Sequence, residues 1–71
     1  MKSTEIIQLQ NYLRRTFNNL GIRVKEPAKE TAPVEVMMGD EFIGTLHRDD
    51  DEGEVCYHFQ MTILDIDLEG S

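Results

Sequence analysis

The sequence is poor in several features on which common functions depend. Its 71 residues contain one cysteine and no tryptophan, and no apolar run approaches the roughly 18 residues of a membrane span. The single thiol, Cys56, excludes an internal disulfide and suits a reducing cytoplasm. The N-terminus lacks the long apolar core of a signal peptide. These absences predict a cytoplasmic protein with no membrane partner.

Positive charge is also scarce. Seven lysine and arginine residues face fourteen aspartate and glutamate residues, so the formal net charge is −7. The basic residues are scattered, and Arg14-Arg15 is the only adjacent pair. Nucleic acids and anionic membranes are bound through clustered cations. The charge pattern therefore predicts a small acidic protein with no nucleic-acid partner.

What is present is typical of one small globular domain. Hydrophobic residues make up 39% and charged residues 30% of the chain, which is ordinary for such a domain. The length allows a single core of modest stability. We therefore expect residues 1–71 to form one α+β domain, frayed at about residues 69–71.

The first element predicted is a helix over residues 4–18. Ile6, Leu9, Leu13 and Phe17 recur at three- and four-residue steps and form one apolar stripe. Ser3 is the expected N-cap, and the asparagines at 18 and 19 tolerate the left-handed conformation that ends helices. The stripe is expected to pack on the core.

Alternating residues then predict an antiparallel four-stranded meander sheet. The predicted strands cover residues 21–25, 34–38, 41–48 and 54–61, and the acidic residues 49–53 turn between the last two. Residues 62–68 fit either a short helix or an edge strand. A helix is favoured because a one-sided sheet needs more cover than one helix gives. We therefore expect both helices on one sheet face.

The register of the last hairpin follows from its hydrophobic pattern. A two-residue turn at Asp50-Asp51 pairs Leu46 with Val55, Gly44 with Tyr57, and Phe42 with Phe59. An aromatic ring then covers the glycine. The predicted core consists of Val34, Val36, Phe42, Leu46, Tyr57 and Phe59, packed against Leu9, Leu13 and Phe17.

The same register places a mixed set of side chains on the outer sheet face. We take this face as a candidate interaction surface, formed by Ile43, Thr45, His47, Cys56 and His58. Imidazole and thiolate are zinc ligands, so His47, Cys56 and His58 are also weak candidates for a metal site. A cysteine–histidine nucleophile is disfavoured because no orienting third group is evident.

The acidic turn does not fit a calcium-binding EF-hand. With Gly53 at the sixth loop position, Arg48 occupies the first and Phe59 the twelfth, where carboxylates are required. The turn is therefore interpreted as a solvated hairpin tip whose charge repels other sheet edges. The sequence assigns no catalytic residue, no resident metal and no cofactor.

Several segments resemble a known family. They are Asn11-Tyr12-Leu13-Arg14-Arg15-Thr16-Phe17, Gly39-Asp40-Glu41-Phe42-Ile43-Gly44, Asp49-Asp50-Asp51-Glu52-Gly53 and Tyr57-His58-Phe59-Gln60-Met61-Thr62-Ile63-Leu64-Asp65. In this order they resemble small uncharacterised proteins, mainly from alphaproteobacteria, known as domain of unknown function 3126. The segment Asn18-Asn19-Leu20-Gly21 departs from the family's turn, which bears only on the helix end. The resemblance implies a bacterial cytoplasmic protein and transfers no activity or functional residue.

Two functional interpretations stay open. The first is a non-catalytic protein–protein interaction module that contacts an unknown protein partner or forms a homodimer. The second is a metal- or thiol-dependent activity at His47, Cys56 and His58. The lack of a catalytic set favours the first and leaves enzyme status uncertain.

The charge pattern generates the first testable prediction. At physiological salt we expect no binding of RNA or DNA, because phosphate contacts need clustered cations that the chain lacks. Fluorescence anisotropy with labelled duplex and single-stranded probes checks this. A micromolar affinity that falls steeply with added salt would overturn the charge argument.

Overall fold

A computed structural model describes residues 1–29, 31–51 and 53–69. In chain order the elements are helix α1, strands β1 to β4 and helix α2, which span Ser3–Thr16, Ile22–Lys25, Val34–Met38, Glu41–Asp49, Cys56–Gln60 and Asp65–Leu68. The strands form one antiparallel sheet in the order β1-β2-β3-β4. The predicted α+β class, the meander and the order of the elements are confirmed. Within the described ranges, no helix combines the length and the apolar character needed to cross a membrane.

Helix α1 begins slightly earlier than predicted and ends through the expected asparagines. Ser3 lies inside the helix rather than at its N-cap, and its hydroxyl donates to Glu26 Oε1 over 2.7 Å. The backbone N–H of Lys2 instead donates to Glu5 Oε1 over 3.1 Å, as in one half of a capping box. Asn18 has a φ of 51°, which is the left-handed conformation predicted to stop the helix.

The core lies between α1 and the inner face of the sheet. Its buried residues are Ile6, Leu13, Ile22, Val24, Val34, Val36 and Leu46, with Met1, Leu9, Ile43 and Phe59 partly buried beside them. The predicted core positions Leu13, Val34, Val36 and Leu46 are therefore confirmed. Phe17 is exposed, although its ring meets the edge of the Phe59 ring at a centroid distance of 6.5 Å.

A β-bulge reverses two of the predicted orientations. Val36 pairs with Gly44 but Met37 pairs with Phe42, so Ile43 is an extra residue on β3. Because an extra residue changes the alternation beyond it, Phe42 turns outward and is 52% exposed. Ile43 turns toward the core. The predictions of a buried Phe42 and an outward-facing Ile43 are wrong.

The β3–β4 register also differs from the prediction, by four residues. Leu46 pairs with Phe59 and Arg48 with Tyr57, because β3 ends at Asp49 and β4 begins only at Cys56, which is farther along the chain than a two-residue turn requires. Gly53 in this connection has a φ of 83°. The predicted pairs of Val55, Tyr57 and Phe59 are therefore wrong, and Val55 is 49% exposed. A shift by an even number keeps every β4 side chain on its predicted face.

Gly44 lies beneath an aromatic ring, as predicted, but the ring belongs to Phe59 instead of Tyr57. A Cβ atom at residue 44 would lie 2.7 Å from Phe59 Cε1 and closer still to the backbone carbonyl oxygen of Gln60. Both approaches are well inside van der Waals contact, so only glycine lets β4 and its aromatic ring pack here.

Side chains of α1 cover the first edge of the sheet. Gln10 Oε1 accepts a hydrogen bond from the Val24 backbone N–H over 3.0 Å. Arg14 Nε donates to the Ile22 carbonyl oxygen over 2.7 Å. These contacts occupy groups on β1 that would otherwise invite another strand, and they hold α1 above the β1 side of the sheet.

The C-terminal segment forms the predicted helix but does not cover the sheet. Helix α2 begins after Leu64, whose backbone N–H donates to Asp67 Oδ2 over 3.1 Å. In the part of the chain that the structure describes, no Cα atom of α2 lies within 8 Å of one in α1 or in a strand. The expected packing of both helices on one face therefore holds for α1 alone. The frayed end predicted at 69–71 lies mostly outside the described residues.

The core generates a matched pair of substitutions. Leu13→Ala should lower the free energy of unfolding by about 2–5 kcal/mol, because it leaves a cavity between α1 and the sheet. Leu20→Ala, at a residue that is 83% exposed, should change it by less than about 0.5 kcal/mol. Urea unfolding followed by circular dichroism measures both. Equal effects of the two variants would contradict the position of the core.

Candidate functional site

The outer face of the β3–β4 hairpin carries most of the residues that the sequence singled out. His47 pairs directly with His58, Asp49 with Cys56, and Thr45 with Gln60. Because alternate residues share a face, these six side chains project from the same side of the sheet. The predicted interaction face thus keeps Thr45, His47, Cys56 and His58. It loses Ile43, which the bulge turns inward.

Three of these side chains converge. Cys56 Sγ lies 3.5 Å from His58 Nε2, and His58 Nε2 lies 3.6 Å from Asp49 Oδ2. One donor atom from each of the three residues falls within 4.8 Å of the other two, and none of the three side chains is buried. The structure therefore brings together Cys56 and His58, two of the three candidate ligands named above, and adds Asp49.

Asp49 was missed because the sequence placed it in the acidic turn. Strand β3 continues through Asp49, and the four-residue shift sets it opposite Cys56. Its spacing in the sequence was the one signal that could have placed Asp49 on the outer face. Asp49 is two residues from His47, so the two side chains share a face if strand β3 extends through Asp49. Among the residues that the structure describes, His47 is not part of this group of potential ligands.

The convergence differs from that of a nucleophilic triad. In a triad, one ring nitrogen of the histidine serves the nucleophile and the other is oriented by a carboxylate. Here the same nitrogen, Nε2 of His58, meets both the Cys56 sulfur and the Asp49 carboxylate. Asp49 therefore does not orient His58 as a general base, and the Cys56 thiol is exposed to solvent.

A second polar cluster joins α1 to the hairpin on the inner face. The Tyr57 hydroxyl donates to Glu5 Oε2, and Arg48 Nε donates to the same oxygen over 3.1 Å. Arg48 Nη1 also donates to Asp50 Oδ2 over 3.0 Å. Sequence reasoning missed this cluster because its members lie far apart in the chain and follow no motif.

The hydrogen bond between Tyr57 and Glu5 perturbs both groups. It is the largest of the interactions that lower the pKa of Glu5 below its ordinary value of 4.5, and the Lys2 backbone N–H and Arg48 act in the same direction. The same bond is the largest cause that raises the pKa of Tyr57 above its ordinary value of 10.0. The cluster is therefore most stable with a charged Glu5 and a neutral Tyr57.

An apolar groove opens beside this cluster. It has a volume of about 450 Å³ and is lined by Glu5, Gln8, Leu9, Tyr12, Leu13, Leu46, Tyr57 and Phe59. It exists because α1 lies above β1 and leaves the β3–β4 side of the inner face uncovered. The guanidinium carbon of Arg15 lies 5.7 Å from the centroid of the Tyr12 ring, which lines the groove. Arg48 stands beside Tyr57.

Comparison with known proteins assigns the chain to a family. Residues 5–67 match a protein family described as "Protein of unknown function (DUF3126)", which covers nearly the whole chain and agrees with the resemblance noted in the sequence. No curated protein matches the chain, and no solved structure matches it either.

The inner cluster generates a pH-dependent prediction. In a double-mutant cycle of Glu5→Ala and Tyr57→Phe, the coupling should be stabilising near pH 7. Because the pKa of Glu5 is lowered on folding, its contribution is complete above about pH 4.5 and is lost as the pH falls through the folded value. Because the pKa of Tyr57 is raised, the coupling also disappears as the pH rises above about 10.

Urea unfolding of the four proteins at a series of pH values measures this coupling. Effects common to each single substitution, such as the loss of the Glu5 contact with Lys2, cancel in the cycle. A coupling that stays constant from pH 2 to pH 7 would show that the hydrogen bond does not join the helix to the hairpin.

Proposed function

The chain belongs to the DUF3126 family, whose description names no activity, and we propose that it is a non-catalytic protein–protein interaction module. In this proposal it acts as a homodimer in the bacterial cytoplasm, where one exposed thiol suits a reducing environment. Residues 61–68 of each copy, here called the C-terminal arm, sit in the apolar groove of the other. The observation that carries the proposal is that one chain presents both an apolar groove and an apolar arm.

The arm is unusually apolar for an exposed segment. Its large hydrophobic side chains are between 53% and 70% exposed, and they are Met61, Ile63, Leu64, Ile66 and Leu68. Large exposed apolar patches are characteristic of interaction sites. In the described residues α2 approaches neither α1 nor any strand of its own domain. Because each copy of the chain carries both an arm and a groove, a second copy is the partner that we propose for the arm.

The groove offers a complementary surface. Leu9, Leu13, Leu46 and Phe59 line it with apolar atoms, and Tyr12 and Tyr57 add rings whose hydroxyl ends are polar. Aromatic side chains that present both kinds of surface are enriched at protein interfaces. The groove thus has the composition of an interface centre with a polar rim.

Charges near the groove suit the arm. Asp65 and Asp67 lie in α2, and Arg15 and Arg48 each contact a residue that lines the groove, Tyr12 and Glu5. Arg48 is already paired with Glu5 and Asp50, whereas Arg15 forms no ion pair with any described residue. Opposite charges across an interface favour association and fix its orientation.

Sedimentation equilibrium tests the proposal with three variants of similar chemistry. The parent protein should be a dimer, and Ile66→Asp in the arm or Tyr12→Glu in the groove should make it monomeric. Leu20→Asp places a charge at an exposed apolar residue outside both surfaces and should leave the dimer intact. Circular dichroism controls for folding, since all three residues are exposed.

Mixing the two monomeric variants provides the sharpest control. The arm of the Tyr12→Glu copy and the groove of the Ile66→Asp copy are both intact, so a mixture should form a weaker heterodimer with one seated arm. A monomeric parent protein, or a dimer that survives both variants, would overturn the proposal.

A further inference from the structure

We propose that Asp49, Cys56 and His58 form a zinc-binding site on the outer face of the hairpin, with a water molecule as the fourth ligand. The site is independent of the groove and the arm, because its residues lie on the opposite face of the sheet. It also differs from the candidate set His47, Cys56 and His58, since a carboxylate replaces one imidazole.

The donor chemistry selects the metal. A thiolate, an imidazole and a carboxylate are the three ligand types found in protein zinc sites. The soft sulfur disfavours magnesium and calcium, which take oxygen ligands. Three protein ligands and one water are the usual complement of a zinc site with an exchangeable position.

Two of the three distances between the ligand atoms match a tetrahedral site. With zinc–sulfur bonds of about 2.3 Å and zinc–nitrogen or zinc–oxygen bonds of about 2.0–2.1 Å, tetrahedral angles separate sulfur from nitrogen by about 3.6 Å and nitrogen from oxygen by about 3.4 Å. The structure shows 3.5 Å between Cys56 Sγ and His58 Nε2. It shows 3.6 Å between His58 Nε2 and Asp49 Oδ2. Two edges of the tetrahedron are therefore already formed.

The single shared nitrogen supports a metal over a hydrogen-bonded chain. Nε2 of His58 carries at most one proton, so it cannot donate to Asp49 and accept from Cys56 at the same time. A cation placed between the three atoms satisfies all of them together. It also separates the negative charges of a thiolate and a carboxylate on neighbouring strands.

The backbone holds the ligands in position before the metal arrives. Cys56 and His58 alternate on β4 and therefore share a face, and Asp49 pairs directly with Cys56 on β3. Ligands on paired strands are more precisely placed than ligands on a loop. Nearby carboxylates in the acidic connection, among them Asp51 and Glu54, raise the local concentration of cations without completing the site.

Cobalt and zinc titrations test the site on the full chain. Isothermal titration should show one zinc ion per chain, and cobalt should give the intense visible bands of tetrahedral coordination with a sulfur charge-transfer band. Cys56→Ser should abolish the charge-transfer band. Cys56→Ser, His58→Gln and Asp49→Asn should each weaken zinc binding by at least about tenfold.

Two controls separate this site from its neighbours. Asp51→Asn removes a carboxylate from the same connection, and His47→Gln removes the imidazole of the residue that lies opposite His58 on β3. Both should bind zinc within about threefold of the parent protein. Zinc should also slow modification of Cys56 by a thiol reagent, and this protection should persist in both controls.

Other results would contradict the proposed zinc site. No saturable binding, weak binding that Asp51→Asn and Asp49→Asn reduce equally, or a sulfur band that survives Cys56→Ser would overturn the site. Circular dichroism of the ligand variants should match the parent protein, because no member of the cluster is buried. None of these results depends on whether the arm and groove form a dimer.

Discussion

The pairing of Leu46 with Phe59 is the constraint on which the other features depend. It sets the β3–β4 register and brings the Phe59 ring over Gly44, where no other residue fits. On the inner face it places Tyr57 opposite Arg48, within reach of Glu5 on α1. On the outer face it places Asp49 opposite Cys56. One register thus determines both the groove and the cluster of three potential ligands.

The position of α1 is the second determinant. Gln10 and Arg14 form hydrogen bonds with the backbone of β1, so the helix covers the β1 part of the inner sheet face and leaves the β3–β4 part of that face open. In the described residues α2 does not close this opening. A domain of this size has little core to spare, so an uncovered apolar groove is a substantial feature of its surface.

Sequence reasoning predicted some parts of the fold well because those parts depend on local periodicity. The apolar stripe of α1 and the period of two in β4 placed Leu13 inside and Cys56 and His58 on one face. The same reasoning failed at Phe42 and Ile43, because one extra residue in a strand changes the alternation without changing composition. It also missed Asp49, because the length of the acidic connection decides where β3 ends.

The sequence by itself determined the order of the helices and strands, the meander and the net negative charge, because these follow from residue-by-residue preferences and summed charge. The tertiary structure alone decided the bulge, the hairpin register and the side of the sheet that α1 covers. These depend on pairings between distant residues, such as Glu5 with Tyr57 and Gln10 with Val24, that no local pattern encodes. The groove and the cluster of Asp49, Cys56 and His58 arise from those pairings. For that reason both surfaces appear only when the chain is folded.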